Sequence, residues 1–133
     1  EVEKLKVSAD IMIEHHGNPK GKGEGHIVMK CKVKDREVQR CYRVDTEDTT
    51  KNELALMTVI AALRKLTKPC EVTIKINSPY VQNQIRNLKN WETRGWSRAA
   101  GRELKNKQLW QQLQMLRKIH KIDFKEVKDE DGR

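Results

Sequence analysis

From Leu5 to Ile13 the apolar side chains Leu5, Val7, Ala9, Ile11 and Ile13 recur at every second position, the period of a strand with one buried face. The other face carries Lys6, Ser8, Asp10, Met12 and Glu14. The stretch Gly17–Gly25 reads Gly-Asn-Pro-Lys-Gly-Lys-Gly-Glu-Gly and predicts a turn region, unsuited to a helix or a strand interior. His26–Lys34 predicts a second strand and Arg36–Val44 a third, so the three make an antiparallel meander. Asp48, Thr49 or Thr50 can cap the helix that follows, in which Leu54, Met57, Ile60, Ala61 and Leu63 keep helical spacing up to the break at Pro69. Glu71–Ile76 is β-rich. Ser78 as N-cap and Pro79 in the first turn then predict a helix with Tyr80, Val81, Ile85 and Leu88 on its inner face. From Glu103 the positions Leu109, Leu113, Leu116 and Ile119 define another amphipathic helix ending near His120, and Ile122–Val127 predicts a last short strand. Three strands, a helix, a strand, helices and a strand make an α/β sheet: an antiparallel meander extended by parallel strands through helical crossovers.

Composition narrows the function. With 133 residues, 36% of them apolar, the chain suits one domain with a modest core, which excludes an enzyme with separate cofactor and substrate domains. It carries 28 Lys and Arg against 19 Asp and Glu, a net charge of +9. The excess is local: residues 82–121 hold 10 basic and 2 acidic side chains together with all three tryptophans, Trp91, Trp96 and Trp110. A basic stretch interleaved with aromatics is what binding a phosphate backbone requires. A solvated helical face with Trp110 in the core is the structural alternative. No apolar run reaches the roughly 18–20 residues of a membrane span, and no signal-peptide pattern opens the chain, so a soluble, cytoplasmic monomer without a membrane partner is expected.

Other candidate chemistry is thin. Cys31, Cys41 and Cys70 have no Cys-x-x-Cys spacing, which leaves them as reduced, mostly packed thiols. Glu14 precedes His15 and His16, but adjacent histidines on a strand point to opposite faces and make poor partners for one ion, so no metal site is expected there. Lys20 and Lys22 alternate with Gly21 and Gly23 without the Lys-Ser or Lys-Thr of a phosphate-binding loop, which argues against a nucleoside triphosphate.

Four motifs in this order carry a resemblance. They are Gly17-Asn18-Pro19 with Gly23 and Gly25; Thr49-Thr50-Lys51-Asn52-Glu53-Leu54-Ala55-Leu56-Met57; Cys70-Glu71-Val72 through Asn77-Ser78-Pro79-Tyr80-Val81; and Trp91-Glu92-Thr93-Arg94-Gly95-Trp96 with Lys105-Asn106 and Leu109-Trp110-Gln111. The chain so marked resembles the ribonuclease H family of the bacterial type. The resemblance implies an RNase H-like fold, a mixed five-stranded sheet flanked by helices, as one domain over residues 1–128 with a charged tail at 129–133 and without the family's C-terminal helix. It also implies a basic protrusion in the Trp91–Trp110 region that grips a hybrid duplex.

Family chemistry is hydrolysis of the RNA strand of an RNA·DNA hybrid by two divalent cations, which need several clustered carboxylates because hard cations take oxygen ligands. By the resemblance, the first-strand Asp falls on Met12, the first-helix Glu on Ala55 and the fourth-strand Asp on Asn77. Thioether, methyl and amide do not replace charged oxygen. The expectation is therefore a catalytically inactive domain with no catalytic residue retained and no cofactor, binding RNA·DNA hybrid or duplex. The contacts would come from His15, Asn18, Thr50, Lys51 and Asn52 on one side and Trp91, Arg94, Trp96, Arg98, Arg102 and Lys105 on the other. The first alternative is an active hybrid ribonuclease using Mg2+ or Mn2+ through relocated carboxylates: Asp10, two residues before Met12 on the same face, with Glu14 and a tail acid such as Asp129. Glu53, two residues before Ala55, turns elsewhere on the helix. The second alternative is a protein-interaction scaffold.

Overall fold

A computed structural model describes residues 4–97 and 104–125. Its strands are β1 (Leu5–Gly17), β2 (Lys20–Val33), β3 (Arg36–Thr50), β4 (Cys70–Ile76) and β5 (Lys121–Phe124); its helices are α1 (Lys51–Arg64), α2 (Pro79–Gln84), α3 (Leu88–Thr93) and α4 (Lys107–Ile119), with a 3-10 turn at Ile85–Asn87. The sheet order is β3-β2-β1-β4-β5. β1, β2 and β3 pair antiparallel, and β4 and β5 add in parallel, as the element order predicts.

The alternation in β1 sets the layers. Val7, Ala9, Ile11 and Ile13 are buried under the helices, with Ile27 and Met29 of β2 and Val72, Ile74 and Ile76 of β4 beside them. Asp10, Met12 and Glu14 are exposed on the other side. Across the sheet that side carries charged and polar side chains, among them Lys6, Lys75 and Arg43, and among the described residues no helix packs on it.

Three expectations change. The glycine-rich stretch is not a turn throughout: β2 starts at Lys20 and runs through Gly21, Gly23 and Gly25. A Cβ on Gly23 would strike Leu54 and one on Gly25 would strike Thr58, both on α1, whereas one on Gly21 would strike the β1 backbone at His16 and Gly17. Glycine at 23 and 25 is there for close approach between helix and sheet, and at 21 for close approach between strands, so this is strand built for contact rather than chain reversal. β1 and β3 lengthen to match, to Gly17 and Thr50.

Secondly, α1 buries more than the predicted stripe. Ala55, Leu56, Thr58, Val59 and Ala62 are buried along with Leu54, Ile60 and Leu63, whereas Met57 and Ala61 sit at the margin. The reason is that α1 is flanked by α4 and α2 as well as by the sheet. Thirdly, α4 is rotated: Trp110, Leu113 and Gln114 are buried, Leu109 and Leu116 only partly, and Ile119 is 48% exposed. Trp110 takes the core position because Tyr80 and Trp91 close around it, with ring centroids at 5.7 and 5.3 Å. Of the predicted last strand, Lys121–Phe124 is strand and Val127 lies outside the described residues.

Candidate nucleic-acid interface and the carboxylate positions

The start of α1 is fixed by sequence. Thr50 is the N-cap: its hydroxyl accepts from the Glu53 backbone N–H at 3.0 Å, and the Glu53 carboxylate accepts from the Thr50 N–H at 3.3 Å. This reciprocal capping box engages Glu53 and leaves Lys51 and Asn52 exposed at the positive end of the helix. Asn18 is also exposed, at the tip where β1 returns into β2. Lys20 pairs with Thr50 across β2 and β3, so the glycine tip and the helix start share one end of the sheet.

His15 differs from the expectation. Its ring is half-buried, with Nε2 against the Thr49 carbonyl, so it ties β1 to the end of β3 rather than standing free beside Asn18. Period two puts it on the helix side, where the strand end must be closed; His16, on the other side, is exposed.

The basic stretch divides likewise. Trp91 is partly buried with its edge on Trp110, and Trp96 is partly buried against the core. Both are packing residues in the first instance, Trp91 through its ring contact with Trp110 and Trp96 through its partial burial against the core. Arg94 and Lys105 are exposed, whereas Arg98 and Arg102 lie outside the described residues. Glu92, in the middle of this segment, accepts from Lys118 at 2.7 Å and Gln114 at 3.1 Å, which pins α3 to α4 and holds its carboxyl below the usual carboxylate range.

The three positions that the resemblance equates with carboxylates are dispersed in chemistry. Met12 is 55% exposed on the uncovered face, at a shallow depression of about 320 Å3 that also takes in Asp10, His26, Val28, Lys75 and Asn77. Ala55 is wholly buried. Asn77 accepts from the Ile13 N–H at 2.8 Å and donates to the Ile13 carbonyl at 3.1 Å, so its amide extends the β1–β4 ladder by one rung beyond the Ile11–Ile76 pair. An amide spent at both ends on backbone has no charge and no free donor geometry for a hard cation, and thioether and methyl groups offer none. These residues do not fit a two-magnesium centre. Of the suggested replacements, Asp10 and Glu14 flank Met12 on the same face, and Asp129 lies outside the described residues.

Two features escaped the sequence reading. Lys4, Lys6, Lys30, Lys32 and Lys68 surround a concavity of about 970 Å3 at the far end of the sheet, where Glu37 is the one acid among the described residues. They come from three separate segments of a region whose charges nearly balance, so counting along the chain conceals them. The three thiols also differ in setting. Cys70 is buried, and its burial pushes the thiol up, but Cys31 is half-exposed and Cys41 exposed on edge strand β3.

The RNase H family model matches residues 15–133. The ribonuclease H of Francisella philomiragia is 39% identical over 117 residues, covering 87% of this chain and 74% of the relative, and that of Francisella tularensis subsp. novicida is equally similar. Among solved structures, LC9-RNase H1, described as a type 1 RNase H with the type 2 active-site motif, superposes with a TM-score of 0.81 at 23% identity over 100% of this chain and 67% of its own. The RNase H domain of PFV gives 0.76 at 16% identity, covering 98% of this chain and 84% of that one. With its sheet order, its helix capping and these matches in agreement, the chain belongs to the RNase H family.

Proposed function

We propose that this protein is a catalytically inactive RNase H-like module that binds nucleic acid, with RNA·DNA hybrid as its preferred duplex. The observation that carries the reading is the state of the three carboxylate positions: an exposed thioether at Met12, a buried methyl at Ala55, and at Asn77 an amide committed to Ile13. Recognition is assigned to Asn18, Lys51 and Asn52 at one end of the sheet and to Arg94, Arg98, Arg102 and Lys105 in the basic segment. Exposed amides and a helix N-terminus suit backbone and 2′-hydroxyl contacts, and the arginines suit phosphates. Supporting this, solved relatives include LC11-RNase H1 in complex with RNA/DNA hybrid, at a TM-score of 0.61 and 19% identity over 97% of this chain and 88% of that one.

The test is fluorescence anisotropy on labelled hybrid, paired with a cleavage gel in Mg2+ and in Mn2+. Binding without cleavage is expected, and with about six phosphates contacted the affinity falls by roughly three decades between 50 and 200 mM salt. Salt-independent binding removes the proposed surface. Cleavage that Asp10→Asn abolishes establishes the second reading, an enzyme with relocated carboxylates, which is favoured only by the place of Asp10 and Glu14 on either side of Met12.

A further inference from the structure

On the uncovered face, beginning at the Met12–His26 pair, the pleat brings together three side chains that sequence order separates. Glu14 of β1 stands directly opposite Glu24 of β2, and His26 lies two residues further along β2 on the same side. The His26 Nε2 is 3.0 Å from Glu24 Oε1 and 4.0 Å from Glu14 Oε1, and one ligand atom from each residue falls within 4.8 Å of the other two. We infer that Glu14, Glu24 and His26 form a binding site for a divalent transition cation, of the Mn2+ or Zn2+ class.

Two independent features support it. The first is geometric. Donors about 2.1 Å from a common ion lie about 3.0–3.4 Å apart for angles between 90 and 110 degrees. The Glu24–His26 pair already has that spacing, and the exposed Glu14 side chain closes the remainder by rotation about its own torsions. The second is electrostatic. Like charges directly opposite one another on antiparallel strands repel. Arg43 meets Glu24 through its other oxygen, Oε2, at 3.2 Å and is itself matched by Asp45 at 2.8 Å. With neutral His26, the group Glu14, Glu24, Asp45 and Arg43 carries a net charge of −2, which one divalent cation cancels. The Arg43 contact holds the Glu24 carboxylate so that Oε1 stays turned to His26, the orienting role that outer partners serve around metal ligands.

The donor set decides the metal class. One imidazole nitrogen and two carboxylate oxygens suit borderline cations, whereas Mg2+ takes oxygen and keeps its waters. Three protein ligands leave open positions toward solvent. The site shares no residue with Met12, Ala55 or Asn77, although His26 faces Met12 and Glu14 also belongs to the relocated carboxylates of the second reading.

Mn2+ titration of the full chain, followed by electron paramagnetic resonance of the free ion, gives occupancy without interference from the thiols. One Mn2+ per chain is expected, with at least tenfold weaker binding in His26→Gln and in Glu14→Gln and unchanged binding in His16→Gln. Paramagnetic broadening should reach the His26 ring resonances first. Thermal melts of each variant confirm that these exposed or half-exposed substitutions leave the fold intact. No uptake at millimolar Mn2+, or uptake that His26→Gln and Glu14→Gln leave unchanged, overturns the site.

Discussion

Replacing Asn77 by Asp adds a single charge at the end of β4 and exchanges one nitrogen for oxygen. The acceptor half of the amide survives, and its bond from the Ile13 N–H becomes charge-assisted. The donor half does not: the bond to the Ile13 carbonyl at 3.1 Å turns into two oxygens facing each other. Losing that bond and leaving the carbonyl unmatched costs about 2–3 kcal/mol, and the stronger N–H contact returns about 1 kcal/mol. The net loss is about 1–2 kcal/mol, which for a chain of this size lowers the melting temperature by about 3–8 °C. Protonation reverses it, because a neutral carboxyl both donates and accepts as the amide does. The neutral form is favoured in the fold, so the new carboxyl has a folded pKa above the ordinary Asp value of about 3.9. The penalty is therefore full above the folded pKa and fades as pH falls through it. Urea melts of parent and Asn77→Asp at about pH 4 and about pH 7.5 measure both quantities. Equal stability at the higher pH, or a loss that does not shrink at the lower, refutes the account of Asn77 as a ladder rung. Cleavage is not expected from this variant, since Met12 and Ala55 are untouched.

Gly25→Ala drives a methyl into buried Thr58 and should cost about 2–3 kcal/mol in denaturant melts, with part of the loss recovered in a Thr58→Ala background. His120 is buried, its Nδ1 accepts from the Cys70 N–H at 3.1 Å, and burial, with Lys4 nearby, holds its pKa below the ordinary value. The neutral ring is the native form, so its contribution is present above the unfolded value near 6.5 and is lost as pH falls through the folded pKa. His120→Asn, followed by thermal melts across that range, should flatten the acid side of the stability profile. Arg94→Glu with Lys105→Glu should weaken hybrid binding and reduce the slope of log affinity against log salt by about two, while the melting temperature stays within about 2 °C; an unchanged slope places the phosphates elsewhere.

What was legible in the sequence follows from periods and caps. The alternation of β1 set the buried face, Thr50 with Glu53 marked the helix start, and the order of elements gave the sheet. Gly21, Gly23 and Gly25 read as turn because glycine is ambiguous in one dimension; the spacing of two is a strand signal only once α1 is known to press on Gly23 and Gly25. The inner face of α4 follows Trp110 rather than leucine periodicity, because the partners of Trp110, Tyr80 and Trp91, come from elsewhere in the chain. The pairing of Asn77 with Ile13 spans 64 positions. Glu24 and His26 join Glu14 only through the β1–β2 register, which spacing along the chain does not display.

The uncovered face is electrically lopsided along its strands. Lys30 and Lys32 stand at one end of β2 and Glu24 toward the other, six to eight residues away, or roughly 20–26 Å by strand rise. At about 0.1 M salt the screening length is about 10 Å, so an incoming polyanion senses the two poles separately. On this face it is drawn in at the lysine pole and held off beside Glu14 and Glu24, so a strand engaged at Lys51 and Asn52 is turned toward the helix side. A divalent ion seated between Glu14 and Glu24 would erase the repelling pole and, with it, that orientation.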